Sequence, residues 1–240
     1  MNEVIFFAMV IVTMSLNLFA FRRGPEWLMA IISAEIILMN IFVMKQMNLF
    51  GLEVTGGNVM YAAIFLSTDL ISEFYGKKWA LKTVKIGFFV AFFSTIAFQF
   101  ILVFEPNNFD FAQPHFDALF NFMPRIVIGS LLAYWISQNL DVYLFHKIKA
   151  KTGDAHLWLR TKGSTTVSQL VDTLIFTIFG LLVIPGLPDN VYFNGVVTME
   201  IFWEVVLFTY IIKVLAAILD MPFVYLAKRL QPIEKKNLEI

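Results

Sequence analysis

Seven apolar runs divide the chain, at 4–21, 27–44, 59–75, 84–104, 118–143, 165–184 and 201–227. Each is about as long as the roughly 20 residues a helix needs to span a bilayer. Residues that strands favour occur in some of them, as in Ile-Val-Ile at 126–128. The runs are nevertheless too long for barrel strands and lack period-2 alternation. Short linkers rich in Gly, Pro, Asn and charge separate them: RRGPE at 22–26, Gly51 to Gly57, EPNNFDFAQP at 105–114 and PGLPDN at 185–190. None could hold a soluble domain. The pattern predicts an all-α, polytopic membrane helix bundle of about seven transmembrane helices.

The first run has Glu3 and no Lys or Arg before it, and Arg22 and Arg23 after it. That polarity is wrong for a signal peptide and suits a first helix with its N-terminus outside. The other basic residues agree. Fifteen follow runs one, three, five and seven, and Lys45 alone lies on the opposite side. By the positive-inside rule the N-terminus is outside and the C-terminus cytoplasmic.

Composition narrows the function. The chain is 59% hydrophobic and 15% charged, with mean hydropathy +0.74 and no net charge. A general nucleic-acid binder needs a basic face, so nucleic acid is not an expected partner. The absence of cysteine excludes disulfides, thiolate metal sites and cysteine nucleophiles. His115, His146 and His156 all fall between the runs. A membrane protease would need a buried Ser–His pair or a His-rich zinc site. No P-loop, dinucleotide motif, arginine ladder or potassium filter appears. No metal, cofactor or catalytic residue is expected, and movement of a small polar solute fits what remains.

Ionisable residues inside spans are costly and mark functional sites. The runs keep Glu35, Asp69, Glu73, Arg125, Asp141, Asp172, Glu204, Lys213 and Asp220. Asp141, Glu204 and Asp220 stand near run ends, where snorkelling to the interface would explain them. Asp69 and Glu73 share a helix face at i,i+4, and Gln169 and Asp172 at i,i+3. Asn40, Arg125 (after Pro124), Gln138 and Lys213 add polar groups from further runs. Five helices can thus direct polar side chains toward a central or slightly cytoplasmic cavity. The alternative is structural: Lys213 paired with Asp69 or Asp172 to hold the bundle. Phe and Met are expected as packing residues, and Trp27, Trp79, Trp158 and Trp203 as interfacial anchors. A loose echo between Thr68–Glu73 and Ser168–Thr173 suggests an inverted repeat of helices 2–4 and 5–7.

Several segments, taken in order, resemble a known family. They are Asn40, FLSTDLISEFYG at 65–76, PRIVIGS at 124–130, Gln138, TGDAHLWLRTKGST at 152–165, SQLVDT at 168–173 and YIIKVLAAILDMPFVY at 210–225. Together they resemble the queuosine precursor transporters, also described as vitamin uptake transporters. Asp141 departs from that pattern, in which a neutral Asn is common. The resemblance implies a six-helix transporter core at 27–230, an additional N-terminal helix and loop at 1–26, and a cytoplasmic tail at 231–240. It implies import of 7-deazaguanine bases, the cyano and aminomethyl precursors of queuosine, across the bacterial cytoplasmic (inner) membrane for tRNA modification salvage. A carboxylate can accept the N–H and exocyclic amine of such a base as a pair, while Asn, Gln, Lys or Arg serve its acceptors. The implied binding set is Asn40, Asp69, Glu73, Arg125, Gln138, Gln169, Asp172 and Lys213. The expected partners are a small-molecule heterocyclic base and the lipid bilayer. A homodimer stays open, as does an energising module. The latter would make the chain a substrate-binding subunit of a modular ATP-driven transporter.

Overall fold

A computed structural model describes residues 1–120, 123–153, 155–183 and 197–230, with backbone alone at 52–53 and 123–125. The elements in order are α1 (Asn2–Arg23), α2 (Pro25–Phe42), β1 (Gln46–Leu49), β2 (Leu52–Thr55), α3 (Gly57–Phe74), α4 (Lys77–Ile101), α5 (Gln113–Phe120), α6 (Met123–Thr152), α7 (Leu157–Phe176), a π-helical turn (Thr177–Leu181), α8 (Phe202–Leu219) and α9 (Met221–Leu230). Every apolar run is mostly helical over its described residues, with turns or extended residues at the ends of several and a break at Asp220. The molecule is a helix bundle, as its hydropathy predicts.

Among the described residues, five helical stretches are long and apolar enough to cross a membrane: α1, α2, α4, α7 with its π turn, and α8 with α9. The third and fifth runs form α3 and α6, which carry more polar residues. For α3 the reason is position. It is buried from Gly57 to Ser72 and packs on α1, α2, α4, α6, α8 and α9. A helix surrounded by protein need not be apolar to satisfy lipid, so its polar residues can serve the interior. The outer helices show the reverse pattern. Val4, Ile11 and Leu16 on α1, Phe89, Phe93 and Phe100 on α4, and Leu207, Leu215 and Ile218 on α8 are exposed. Apolar side chains therefore cover the outside as well as the core, as a bilayer requires.

Local sequence sets the junctions. Gly24 (φ 132°) ends α1, and Pro25 starts α2 at a position where its missing N–H costs nothing. Pro222 restarts the chain as α9 after Asp220, whose carbonyl accepts from the Phe223 and Val224 N–H groups. At the other end of the bundle the linker after α2 folds into a β-hairpin, with Gln46 opposite Thr55 and Leu49 opposite Leu52. Its two turn residues, Phe50 and Gly51, both have positive φ (54° and 79°), which matches the twist of a two-residue hairpin. Leu49 and Val54 turn inward. The Asn2 side chain donates to the Asn48 carbonyl, and the Phe50 N–H to Glu3. This hairpin is absent from the sequence expectation, because four-residue strands are too short to leave a period.

Candidate functional site

A cavity of about 830 Å³ lies between α2, α3, α6, α7 and α8, with the hairpin at its rim. Gln46, Gly51, Val54 and Thr55 line the hairpin side, and Asn40, Asn58, Tyr61, Ser130, Asp172, Glu204 and Lys213 are among the polar residues of its wall. Phe176 and Phe208 add aromatic surface.

One buried carboxylate organises the deepest polar group. Lys213 Nζ of α8 stands 2.6 Å from Asp172 Oδ2 of α7. Tyr61 of α3 donates its hydroxyl to Asp172 Oδ1, as does Ser137 of α6 at 3.0 Å. The Lys213 ammonium also sits over the Tyr61 ring, 4.6 Å from its centroid. Four helices therefore meet at Asp172. The Lys213–Asp172 pairing that the sequence allowed as a structural contact is present, and both partners line the cavity. On the same wall the Ser130 hydroxyl donates to Asn40 Oδ1 at 3.2 Å.

The other expected residues lie off this lining. Asp69, two turns along α3 from Tyr61 and so about 12 Å deeper, is buried with no hydrogen-bond partner at either carboxylate oxygen among the described residues. Gln138 is equally buried with its amide unpartnered, and Gln169 Oε1 is unpartnered too. Glu73 belongs to a different cluster at the far end of the bundle. Arg160 Nη2 reaches its Oε1 at 2.6 Å, while Arg160 Nε and Lys149 Nζ both reach its Oε2 at 2.9 Å. Arg160 also donates to the carbonyls of Gly153 and Ala155. Arg125 lies in the first turn of α6, and its side chain is outside the described residues.

Two residues expected to snorkel do not. Asp141 and Asp220 are fully buried. Asp141 Oδ1 accepts from Ser168 at 3.0 Å, and Asp220 is bonded by Lys162. The reason is that α6 runs on to Thr152 and α7 begins at Leu157, well before the apolar run at 165. The ends of the runs are thus not the ends of the helices, and polar residues there have protein rather than solvent around them.

Sequence reasoning missed Tyr61 and Ser130 at the cavity, Ser137 behind Asp172, and Arg160, Lys149 and Lys162 below it. A Tyr or Ser within an apolar run carries no distinguishing signal. Two of the cations carry one: Arg160 and Lys162 fall in TGDAHLWLRTKGST, but the positive-inside count assigns them, with Lys149, to the cytoplasmic side.

Comparison with known proteins adds an independent finding. The family model described as "Putative vitamin uptake transporter" matches residues 55–227. A Bacillus subtilis (strain 168) protein named "Probable queuosine precursor transporter" is 38% identical over 97% of this chain and 96% of its own length. A Haemophilus influenzae protein of the same name is 30% identical over 54% of this chain and 52% of its own. The Escherichia coli (strain K12) "Queuosine precursor transporter" is 26% identical over 57% and 59%. No solved structure matches.

Proposed function

The chain belongs to the vitamin uptake transporter family, so it is a multi-pass membrane transporter and not an enzyme, and from that premise we propose that it imports a 7-deazaguanine base, a queuosine precursor, across the bacterial cytoplasmic membrane for salvage into tRNA. The observation that carries this reading is the Asp172 carboxylate in the wall of a cavity whose volume suits a bicyclic base. A guanine-like edge presents an N–H and an amine side by side, and an ionised carboxylate is their natural acceptor. Lys213 holds Asp172 Oδ2. An arriving base would take that oxygen, and the freed ammonium would turn to the base carbonyl. Asn40 Nδ2 is a second donor for ring acceptors. Tyr61, Phe176 and Phe208 offer faces on which a planar ring stacks. The binding set is thereby reduced to Asn40, Asp172 and Lys213, with Tyr61 added.

With the N-terminus outside and seven crossings, the hairpin rim faces outward. The cavity then opens toward incoming substrate, and the Glu73–Arg160–Lys149 cluster closes the cytoplasmic end. The test is uptake of labelled 7-cyano-7-deazaguanine by cells that cannot make it. The expected result is uptake and restored queuosine in tRNA when the protein is expressed. Expression at normal level in the membrane with neither effect overturns the reading.

A further inference from the structure

Below the cavity lies a second polar layer that the recognition of a base does not use. The charged groups acting on Asp69 of α3 are Asp141 of α6, Lys162 of α7, Asp220 between α8 and α9, and Glu73 one turn along α3. Glu73 is matched by Arg160 and Lys149, and Asp220 is bonded by Lys162. Asp69 and Asp141 are left facing each other's charge with no cation bonded to either among the described residues. On α2, Glu35 faces α1 instead, beside Asn17.

Uncharged groups point to the same place. The Thr165 hydroxyl of α7, fully buried, stands beside Asp141 with Ser164 and Ser168. Among the described residues both oxygens of Asp69 and Oδ2 of Asp141 lack a close hydrogen-bond partner. The layer also has a polar link to the cavity. Gln169 lies one turn along α7 from Asp172, and Gln138 adjoins Ser137, which bonds Asp172. Both glutamines are buried and hold unpartnered atoms.

We infer that Asp69 and Asp141 form a proton-binding site that couples inward movement of one proton to import of one base. Asp69 and Asp141 are both buried away from water and feel each other's charge, so keeping both ionised is costly and one proton taken by the pair relieves that cost. That proton arrives through the outward-facing cavity, by way of Gln138 and Gln169, and leaves to the cytoplasm when the bundle opens there. Among the described residues no three acidic or histidine side chains converge as a divalent metal ion would require, and sodium-free conditions separate a proton from an alkali cation. Loading the proton removes the buried excess charge, which would otherwise oppose movement of α3 and α6 past their neighbours.

The inference rests on the transport reading, and the experiment separates the two. Purified protein in sodium-free liposomes, with the membrane potential clamped, is given labelled 7-cyano-7-deazaguanine, which is neutral. Counterflow, which needs no ion gradient, tests transport of the base. A one-unit pH gradient, alkaline inside, tests coupling. One proton per base gives about tenfold accumulation at equilibrium, and a trapped pH dye reports internal acidification on adding the base. Asp69→Asn and Asp141→Asn are each expected to abolish accumulation and acidification, with counterflow persisting in Asp141→Asn. Counterflow without accumulation or acidification in the wild type overturns the coupling and leaves the transport reading intact. Tenfold accumulation by both variants overturns the assignment to these two residues. No counterflow by the wild type overturns both readings. Should a variant fail to insert, the wild-type dye measurement still decides the coupling.

Discussion

Lys213 and Asp172 are joined by one ion pair but have different consequences when lost. Lys213→Met leaves a buried carboxylate held by Tyr61 and Ser137 alone. Breaking a buried pair typically costs about 3–5 kcal/mol, so reduced thermal stability in detergent is expected along with lost uptake. Lys213→Met with Asp172→Asn removes both charges. Stability should return while uptake stays absent, because the amide no longer accepts two bonds from the base edge. Wild-type uptake by the double variant would make the pair a purely structural contact. The Glu73 cluster offers a contrast in burial. Arg160 is fully buried and makes four bonds to Glu73 and loop carbonyls, whereas Lys149 is 28% exposed. Arg160→Met should cost about 3–5 kcal/mol. Lys149→Met should cost about 1 kcal/mol or less, as for partly solvated pairs. Equal melting-temperature losses would contradict this ranking. Asn40, Asp172 and Lys213 were legible in the sequence because a charge or amide inside an apolar run stands out. Tyr61 and Ser137 were not, since neither type is unusual there. Arg160 and Lys162 were misplaced because hydropathy marks where lipid begins, not where a helix begins.

The helices themselves followed from hydropathy, but their mutual approach depends on residues that hydropathy ignores. Where α6 meets the π turn, Gly129 lies against Gly180: a Cβ at 129 would fall 2.5 Å from the Gly180 nitrogen and 2.6 Å from its Cα. Those are backbone atoms and cannot rotate away. Gly129→Ala must push the two segments apart, an overpacking that typically costs about 1–3 kcal/mol. Ser130, the next residue, carries the hydrogen bond to Asn40 on the cavity wall. The expected outcome is lower stability together with weaker binding of the base. Gly163→Ala is the control. Its added Cβ would meet the flexible end of Ile148 at 3.2 Å, and both properties should change little. A Gly129→Ala protein that melts and binds like wild type would mean that the close approach is slack. The hairpin at the cavity rim escaped the sequence reading for a related reason. Its register rests on two positive-φ turn residues and on contacts to Asn2 and Glu3, dozens of residues away. The break at Asp220 is half legible: a proline at 222 ends or starts a helix nearby, but nothing in the sequence says that Asp220, two residues earlier, is buried and bonded to Lys162.

At the scale of the whole molecule, the side to which the cavity opens follows from orientation, and the expected orientation rests on the basic residues. Fifteen of them fall on one side of the seven-run pattern and Lys45 on the other. An even number of crossings would place the two termini on one side and scatter the basic segments across both faces. The structure makes the arrangement easy to probe, because the native chain has no cysteine. A single introduced cysteine reports its own side of the membrane without a background to remove. Asn107 lies in the exposed loop between α4 and α5, Lys78 at the exposed start of α4, and Lys151 at the exposed end of α6. A membrane-impermeant maleimide applied to intact cells should label Asn107→Cys. Lys78→Cys and Lys151→Cys should react only after the membrane is opened. The opposite pattern would invert the protein. The cavity rim would then face the cytoplasm, and the cavity would serve release rather than capture. Labelling of Lys78→Cys and Asn107→Cys from the same side would mean that α4 does not cross, despite having the length and apolarity to do so. The expected pattern places the hairpin, the Asp172–Lys213 pair, the Asp69–Asp141 layer and the Glu73 cluster in that order from outside to inside. This is the sequence of groups that an inward-moving base and its proton would meet.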